Sequence, residues 1–116
     1  MKAVEIVTNL RTDDIERSRG FFAALGLTED TMNQGWVARF SSPESGACVQ
    51  VVIRDATAKE DSHLTIKVDD VNAAHDAMVA AGHEIVHPLT DEPWGIRRFF
   101  VRTPEGQVVN VAQHLP

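Results

Sequence analysis

An α+β fold built from two tandem βαβββ units is what this 116-residue sequence predicts, on three observations. Strand-like and helix-like stretches run in one order and then run in that order again. The residues that start and stop the helices recur in step: Asp13-Asp14-Ile15 answers to Asp69-Asp70-Val71, and Gly26 to Gly82. A further match lies late in each half, where Phe40-Ser41-Ser42-Pro43-Glu44-Ser45-Gly46 resembles Val101-Arg102-Thr103-Pro104-Glu105-Gly106. Repeat one spans about 1–56 and repeat two about 60–116. Neither is long enough to bury a good core alone, so both are assigned to one domain, 1–116.

Residues 3–10, AVEIVTNL, alternate and are rich in β-branched side chains, which suits a strand. Asp13 is placed to cap a helix, with Glu16 three positions on in the capping-box arrangement. Ile15, Phe21, Phe22 and Leu25 give that helix its apolar face, and Gly26 its stop. Three strand-like pieces follow, LTEDTM, WVARF and ACVQVVIRD, the last two joined by the turn-forming SSPESG. DATAKED, residues 55–61, is small and charged without periodicity and reads as a linker. HLTIKV then restarts the order as a strand. Asp69 or Asp70 caps a second helix over VNAAHDAMVAAG, which stops at Gly82. HEIVHPL is a strand closed by Pro88, and IRRFFVR and QVVNVAQ form a hairpin around TPEG.

Side chains of a strand alternate between its two faces. In the first strand Val4, Ile6, Thr8 and Leu10 oppose Glu5, Val7 and Asn9. Leu64, Ile66 and Val68 oppose His63, Thr65 and Lys67, and Val49, Val51 and Ile53 oppose Cys48, Gln50 and Val52. The apolar sides are expected under the helices. The mixed sides set Val7, Cys48, Val52 and His63 among polar neighbours, which fits the concave wall of a ligand cleft better than a wholly solvated sheet.

Charge and composition narrow the function. Eleven Lys+Arg against 17 Asp+Glu leave a net charge of −6, which repels phosphate backbones and anionic lipid. Neither a nucleic acid nor a membrane is therefore an expected partner. No apolar run approaches the roughly 20 residues of a transmembrane helix. MKAVEIVTNLR carries an internal charge and no small-residue cleavage pattern, so no signal peptide is expected. The lone Cys48 excludes an internal disulfide and a multi-cysteine zinc site, and a cytoplasmic setting is expected.

The paired βαβββ units, Asp13-Asp14-Ile15 at the first helix start and the terminal PWGIRRFFVRTPEGQVVNVAQH together resemble the vicinal oxygen chelate superfamily. That superfamily includes glyoxalase I, extradiol dioxygenases, fosfomycin-resistance enzymes and bleomycin-resistance proteins. The resemblance covers essentially the whole chain, and Pro93-Trp94-Gly95 with Thr103-Pro104-Glu105-Gly106 is its most specific part. It implies mixed sheets curved around a U-shaped cleft, helices on the outer face, and commonly a homodimer. The enzymes of the superfamily hold a divalent metal on four residues, one on the first and one on the last strand of each repeat. The matching positions here are Val7, Gln50, His63 and Asn110, which the repeat relates as two pairs. Only His63 is of a type the family uses there. Val7 cannot coordinate, and two neutral amides are weak ligands for transition metals. Glu5 and Asn9 share the strand face of Val7, so a shifted register would restore one carboxylate. The resemblance is thus closest to the bleomycin-resistance-like members with a degenerate metal site. No metal or other cofactor is expected, a weakly held divalent metal near His63 being the alternative.

Other chemistry-bearing residues are sparse. His75 reads as a helix-packing or surface residue, and His114 lies near the terminus. His83 and His87 share parity on one strand, as a two-His ligand pair would, but they flank a helix stop and a proline. No nucleophile–histidine arrangement can be argued from spacing and no glycine-rich phosphate loop occurs, so no catalytic residue is assigned. Phe21 and Phe22 read as core. Trp36 and Trp94 belong either at the rim of the cleft, stacking on flat or cationic guests beside Asp91 and Glu92, or packed at a dimer interface or under the loop.

The residues expected to contact a ligand are Val7, Trp36, Gln50, His63, Trp94, Phe99 and Asn110. They support a small-molecule-binding protein that sequesters an aromatic or cationic compound, as antibiotic-resistance members of the superfamily do. A divalent-metal-dependent lyase, isomerase or dioxygenase with non-standard ligands is the second reading. An accessory module whose cleft serves only dimerisation is the third.

Overall fold

A computed structural model describes residues 1–30 and 35–116. Thr31 and Met32, the end of the expected LTEDTM strand, lie outside the described residues. The elements are β1 (Ala3–Arg11), α1 (Ile15–Ala24), β2 (Thr28–Asp30), β3 (Val37–Ser41), β4 (Cys48–Val52), β5 (Leu64–Val68), α2 (Val71–Ala80), β6 (Ile85–Glu92), β7 (Ile96–Arg102) and β8 (Val108–His114). The order βαβββ therefore occurs twice, and the fold is α+β with mixed sheets, as the sequence predicts.

The chain forms two compact units, one of Val7–Asp55 and one of Met1–Ile6 with Ala56–Pro116. In the first, the strand order is β2-β3-β4-β1, with β1 parallel to β4 and the other pairs antiparallel. In the second, the order is β1-β5-β8-β7-β6, with β5 parallel to β8 and the hairpin strands antiparallel. The same topology thus arises from the same punctuation. Asp14 caps α1 by accepting the Glu16 N–H at 3.0 Å, and Asp70 caps α2 by accepting that of Ala73 at 3.0 Å. The cap of α1 is Asp14 rather than Asp13, whose carboxylate instead pairs with Arg11 in the loop. Gly26 and Gly82 stop the helices at φ +86° and +82°, a conformation in which a Cβ clashes with its own backbone. The two late turns also match: Gly46 donates to the Ser42 carbonyl and Gly106 to that of Thr103.

In the Val7–Asp55 unit, Ala38, Phe40 and Val51 are buried beneath Ile15 and Phe22 of α1, with Leu27 and Val49 beside them. Phe22 stacks on Phe40 at 5.0 Å. Phe21, expected with it in the core, is 63% exposed, because consecutive helical residues point about 100° apart and only one can meet the sheet. In the other unit Val68, Phe99, Val101, Val109 and Val111 lie under Val71 and Ala74 of α2.

Three further expectations are corrected. The apolar side of β1 is not covered: Val4, Ile6 and Leu10 stay 66%, 61% and 44% exposed, while Val7 on the opposite face is fully buried. Pro88 does not close its strand. β6 is the edge strand of its unit and absorbs the proline in register shifts between Ile85 and Thr90. Residues 55–61 are no loose linker, since Asp55 and Ala58 are buried, and Ala58 packs on Phe100 and Val108. No helix among the described residues is long and apolar enough to cross a membrane.

Candidate functional site

Register fixes which side chains share a sheet face, because directly opposed residues point the same way. In the unit that carries α2, Thr65 lies opposite Asn110, Asn110 opposite Phe100, and Phe100 opposite His87. These four form one row across β5, β8, β7 and β6, on the face away from α2. Asn110 Nδ2 donates to Thr65 Oγ1 at 3.2 Å, while its Oδ1 is buried without a hydrogen-bond partner among the described residues. In the Val7–Asp55 unit the equivalent row is Asn9, Gln50, Arg39 and Asp30, again by direct opposition. Asp30 accepts the Ser41 hydroxyl at 2.8 Å. The two rows occupy corresponding positions of the repeat, and each sets neutral polar side chains on its two parallel strands, Thr65 and Asn110 in one and Asn9 and Gln50 in the other.

Beside Asn110's row lies a buried ionic cluster. Arg98 Nη2 donates to Glu92 Oε2 at 3.0 Å and to Thr57 Oγ1 at 2.8 Å, and Glu92 also accepts the Thr57 hydroxyl at 3.3 Å. Arg98 and Glu92 are 4% and 6% exposed. The Arg98 guanidinium lies 4.8 Å from the Phe100 ring centre and 5.1 Å from that of Trp94, so two aromatic faces flank the cation. His87 Nε2 stands 3.6 Å from Glu92 Oε1, too far for a hydrogen bond, and its ring packs on Phe100. Arg102 Nη2 donates to Glu60 at 2.6 Å. That bond holds the Glu60 carboxyl below the usual carboxylate range and ties residues 57–60 over this face.

The seven residues expected at a ligand divide by unit and by face. Val7 and Gln50 lie in one unit, Gln50 between Asn9 and Arg39, and Val7 fully buried on the face of Asn9. Trp36 directly precedes β3, half-buried, and its carbonyl accepts the Ile53 N–H. His63 and Asn110 lie in the other unit. His63 is exposed just ahead of β5, where its N–H donates to the Val108 carbonyl and its Nδ1 accepts the Val108 N–H at 3.2 Å. Trp94, in the β6–β7 turn, is half-buried against Arg98. Phe99 is misplaced in the expected set: it is fully buried on the α2 side, edge-on to His75 at 5.0 Å, and Phe100 takes the face of Asn110. The His83/His87 pair also dissolves, since His83 lies on the α2 side among Phe99 and Val101 while His87 packs on Phe100. Asp91 and Glu92 add no free charge beside Trp94, because Arg97 grips Asp91 at 2.5 Å as Arg98 grips Glu92. Arg98, Glu92, Thr57 and Thr65 were missing from the sequence-derived set. The only signal for Arg98 and Thr65 is alternation in IRRFFVR and HLTIKV, which needs a known register before it assigns a face, and nothing local pairs Glu92 or Thr57 with Arg98.

A family model of the Glyoxalase/Bleomycin resistance protein/Dioxygenase superfamily matches residues 6–111. The chain belongs to that superfamily. A superfamily member from Vibrio splendidus 12B01 has the same fold, with a TM-score of 0.70 at 20% identity over 94% of this chain and 97% of that one. A protein from Legionella pneumophila described as an NAD-dependent benzaldehyde dehydrogenase superposes with a TM-score of 0.75 at 16% identity, covering 95% of this chain and 99% of that one. The Mn(II)-bound glyoxalase from Novosphingobium aromaticivorans matches with a TM-score of 0.66 at 20% identity over 96% of this chain and 39% of that larger one. At such identities the likeness is one of fold. No curated protein is significantly similar in sequence.

A divalent metal of the kind these enzymes use does not fit the residues at the four corresponding positions. Val7 has no donor atom, Gln50 and Asn110 offer neutral amides, and the Nδ1 lone pair of His63 is engaged by Val108. Among the described residues no three His, Cys, Asp or Glu side chains converge as ligands would.

Proposed function

We propose that this superfamily member binds a planar aromatic small molecule and releases it unchanged, as a sequestering protein rather than a metal-dependent enzyme. One observation carries the reading: valine and two amides occupy positions where metal-dependent relatives use histidine or carboxylate ligands. Among the described residues, the Asn110 Oδ1 is buried without a hydrogen-bond partner. A carbonyl of that kind gains most from a guest that donates a hydrogen bond to it. Trp94, half-buried on the β6–β7 turn against Arg98, offers ring surface for stacking. The net charge of −6 favours a guest with positive charge, and bleomycin-like antibiotics combine both properties.

Thermal-shift and calorimetric titration with bleomycin and other aromatic antibiotics tests this. A guest at about 100 times its Kd raises stability by about 2.7 kcal/mol, and Asn110→Leu should weaken that guest about tenfold. No stabilisation by any of them would overturn the reading. So would a stoichiometric metal in protein purified without chelator, lost on His63→Ala. We also propose a homodimer, supported by the exposed Val4, Ile6 and Leu10 stripe along β1.

A further inference from the structure

On the α2 side of its sheet, the unit containing β5–β8 forms a pocket of about 370 Å³ that opens broadly to solvent. It exists because small side chains face one another across the layers. Ala74 of α2 stands over Val68, Val101, Val109 and Val111, and Met78 reaches only part of the gap. The lining of the pocket is almost wholly apolar, so an apolar guest that displaces water from it gains by burial. Its volume lies in the range of small-molecule pockets, roughly 300–1,000 Å³.

The rim decides what kind of guest fits. Arg102 is its one charged side chain, and that guanidinium is already shared by Glu60 at 2.6 Å and Glu84 at 3.1 Å. No carboxylate lines the cavity. A cationic guest would find no counter-charge in the lining, and the Arg102 charge is already neutralised by two carboxylates, so a neutral guest fits best. His83 lines the same cavity, half-buried, and its imidazole makes no hydrogen bond within the described residues. It is a polar group placed to receive one hydroxyl. The Thr103 hydroxyl is engaged by Gln107. We infer that this cavity is a second ligand site, on the sheet face opposite Asn110, for a neutral apolar molecule carrying a single hydroxyl, such as a bicyclic aromatic alcohol.

The test is a titration of the full chain with 1-naphthol and with naphthalene, followed by amide NMR. Both should shift Ala74, Met78, Val101 and Val111, and leave Asn9 and Gln50 in place. Ala74→Leu fills the space and should weaken both ligands at least about tenfold without lowering Tm. Met78→Trp, at the cavity's half-buried edge, is the second variant should leucine not be accommodated. His83→Ala should weaken 1-naphthol about fivefold, one hydrogen bond's worth, and leave naphthalene unchanged. The inference is overturned if neither ligand shifts the cavity amides, if binding survives both filling variants, or if His83→Ala affects both ligands equally. It is also overturned if those amides move with protein concentration alone, which would make a second copy of the chain the occupant.

Discussion

Arg98 is held on every side that the structure describes: by Glu92 and Thr57 through Nη2, and by the Trp94 and Phe100 rings. Burying such a pair costs desolvation, and losing one member leaves the other charged and unsolvated. Arg98→Met should therefore destabilise the protein by about 3–5 kcal/mol in urea unfolding. Arg98→Met combined with Glu92→Leu should recover most of that loss, since no lone charge then remains. A double variant as unstable as the single one would show that the ring contacts, rather than the charge, carry the effect. This residue also marks a limit of reading sequence. The run Arg97-Arg98-Phe99-Phe100 offers no internal clue to which arginine is buried or which phenylalanine faces Asn110. Only the pairing of Phe100 with Asn110 and His87 settles parity.

At the scale of elements, local chemistry was legible and coverage was not. Stops and hairpin turns are set by residues a few positions apart, so Gly26, Gly82 and the TPEG turn read correctly, while the caps were legible only to within a residue: Asp69 or Asp70 for α2, and Asp13 in place of Asp14 for α1. Which strand a helix covers depends on long-range packing. The alternation of β1 was clear, yet its apolar face is the exposed one. Residues 55–61 failed for a related reason: nothing in DATAKED shows that Ala58 meets Phe100 and Val108. The bond between Glu60 and Arg102 gives this segment a pH dependence with a definite sign. Because the Glu60 carboxyl is held below its ordinary 4.5, its contribution is complete above that value and fades as the pH falls through the lower folded value. Amides of residues 57–60 should keep their protection from hydrogen exchange above pH 4.5 and lose it progressively below. Glu60→Gln should loosen the same amides at neutral pH and flatten that profile.

For the whole molecule, the repeat in the sequence predicts the twofold βαβββ order, but it does not mark the boundary of the units. The first six residues belong with Ala56–Pro116, so β1 serves both units. The proposed homodimer makes a prediction at this scale. Sedimentation equilibrium should return twice the chain mass of 12.8 kDa, and Ile6→Lys, on the exposed β1 stripe, should return the single chain with its fold intact. A monomeric wild type would refute the dimer. Gln50, His63 and Asn110 were placed by the resemblance to the superfamily, with the repeat spacing in agreement, whereas the ionic cluster rests on partners such as Arg98 and Thr57 that are distant in sequence. A last consequence follows from where the tryptophans fall. The chain has two Trp and no Tyr, with Trp36 in one unit and Trp94 in the other. Its near-ultraviolet emission is therefore a two-channel signal, one fluorophore to each unit. Trp36→Phe leaves a lamp that watches only the Arg98 cluster, and Trp94→Phe one that watches only the start of β3, so each unit's melting can be recorded without a label.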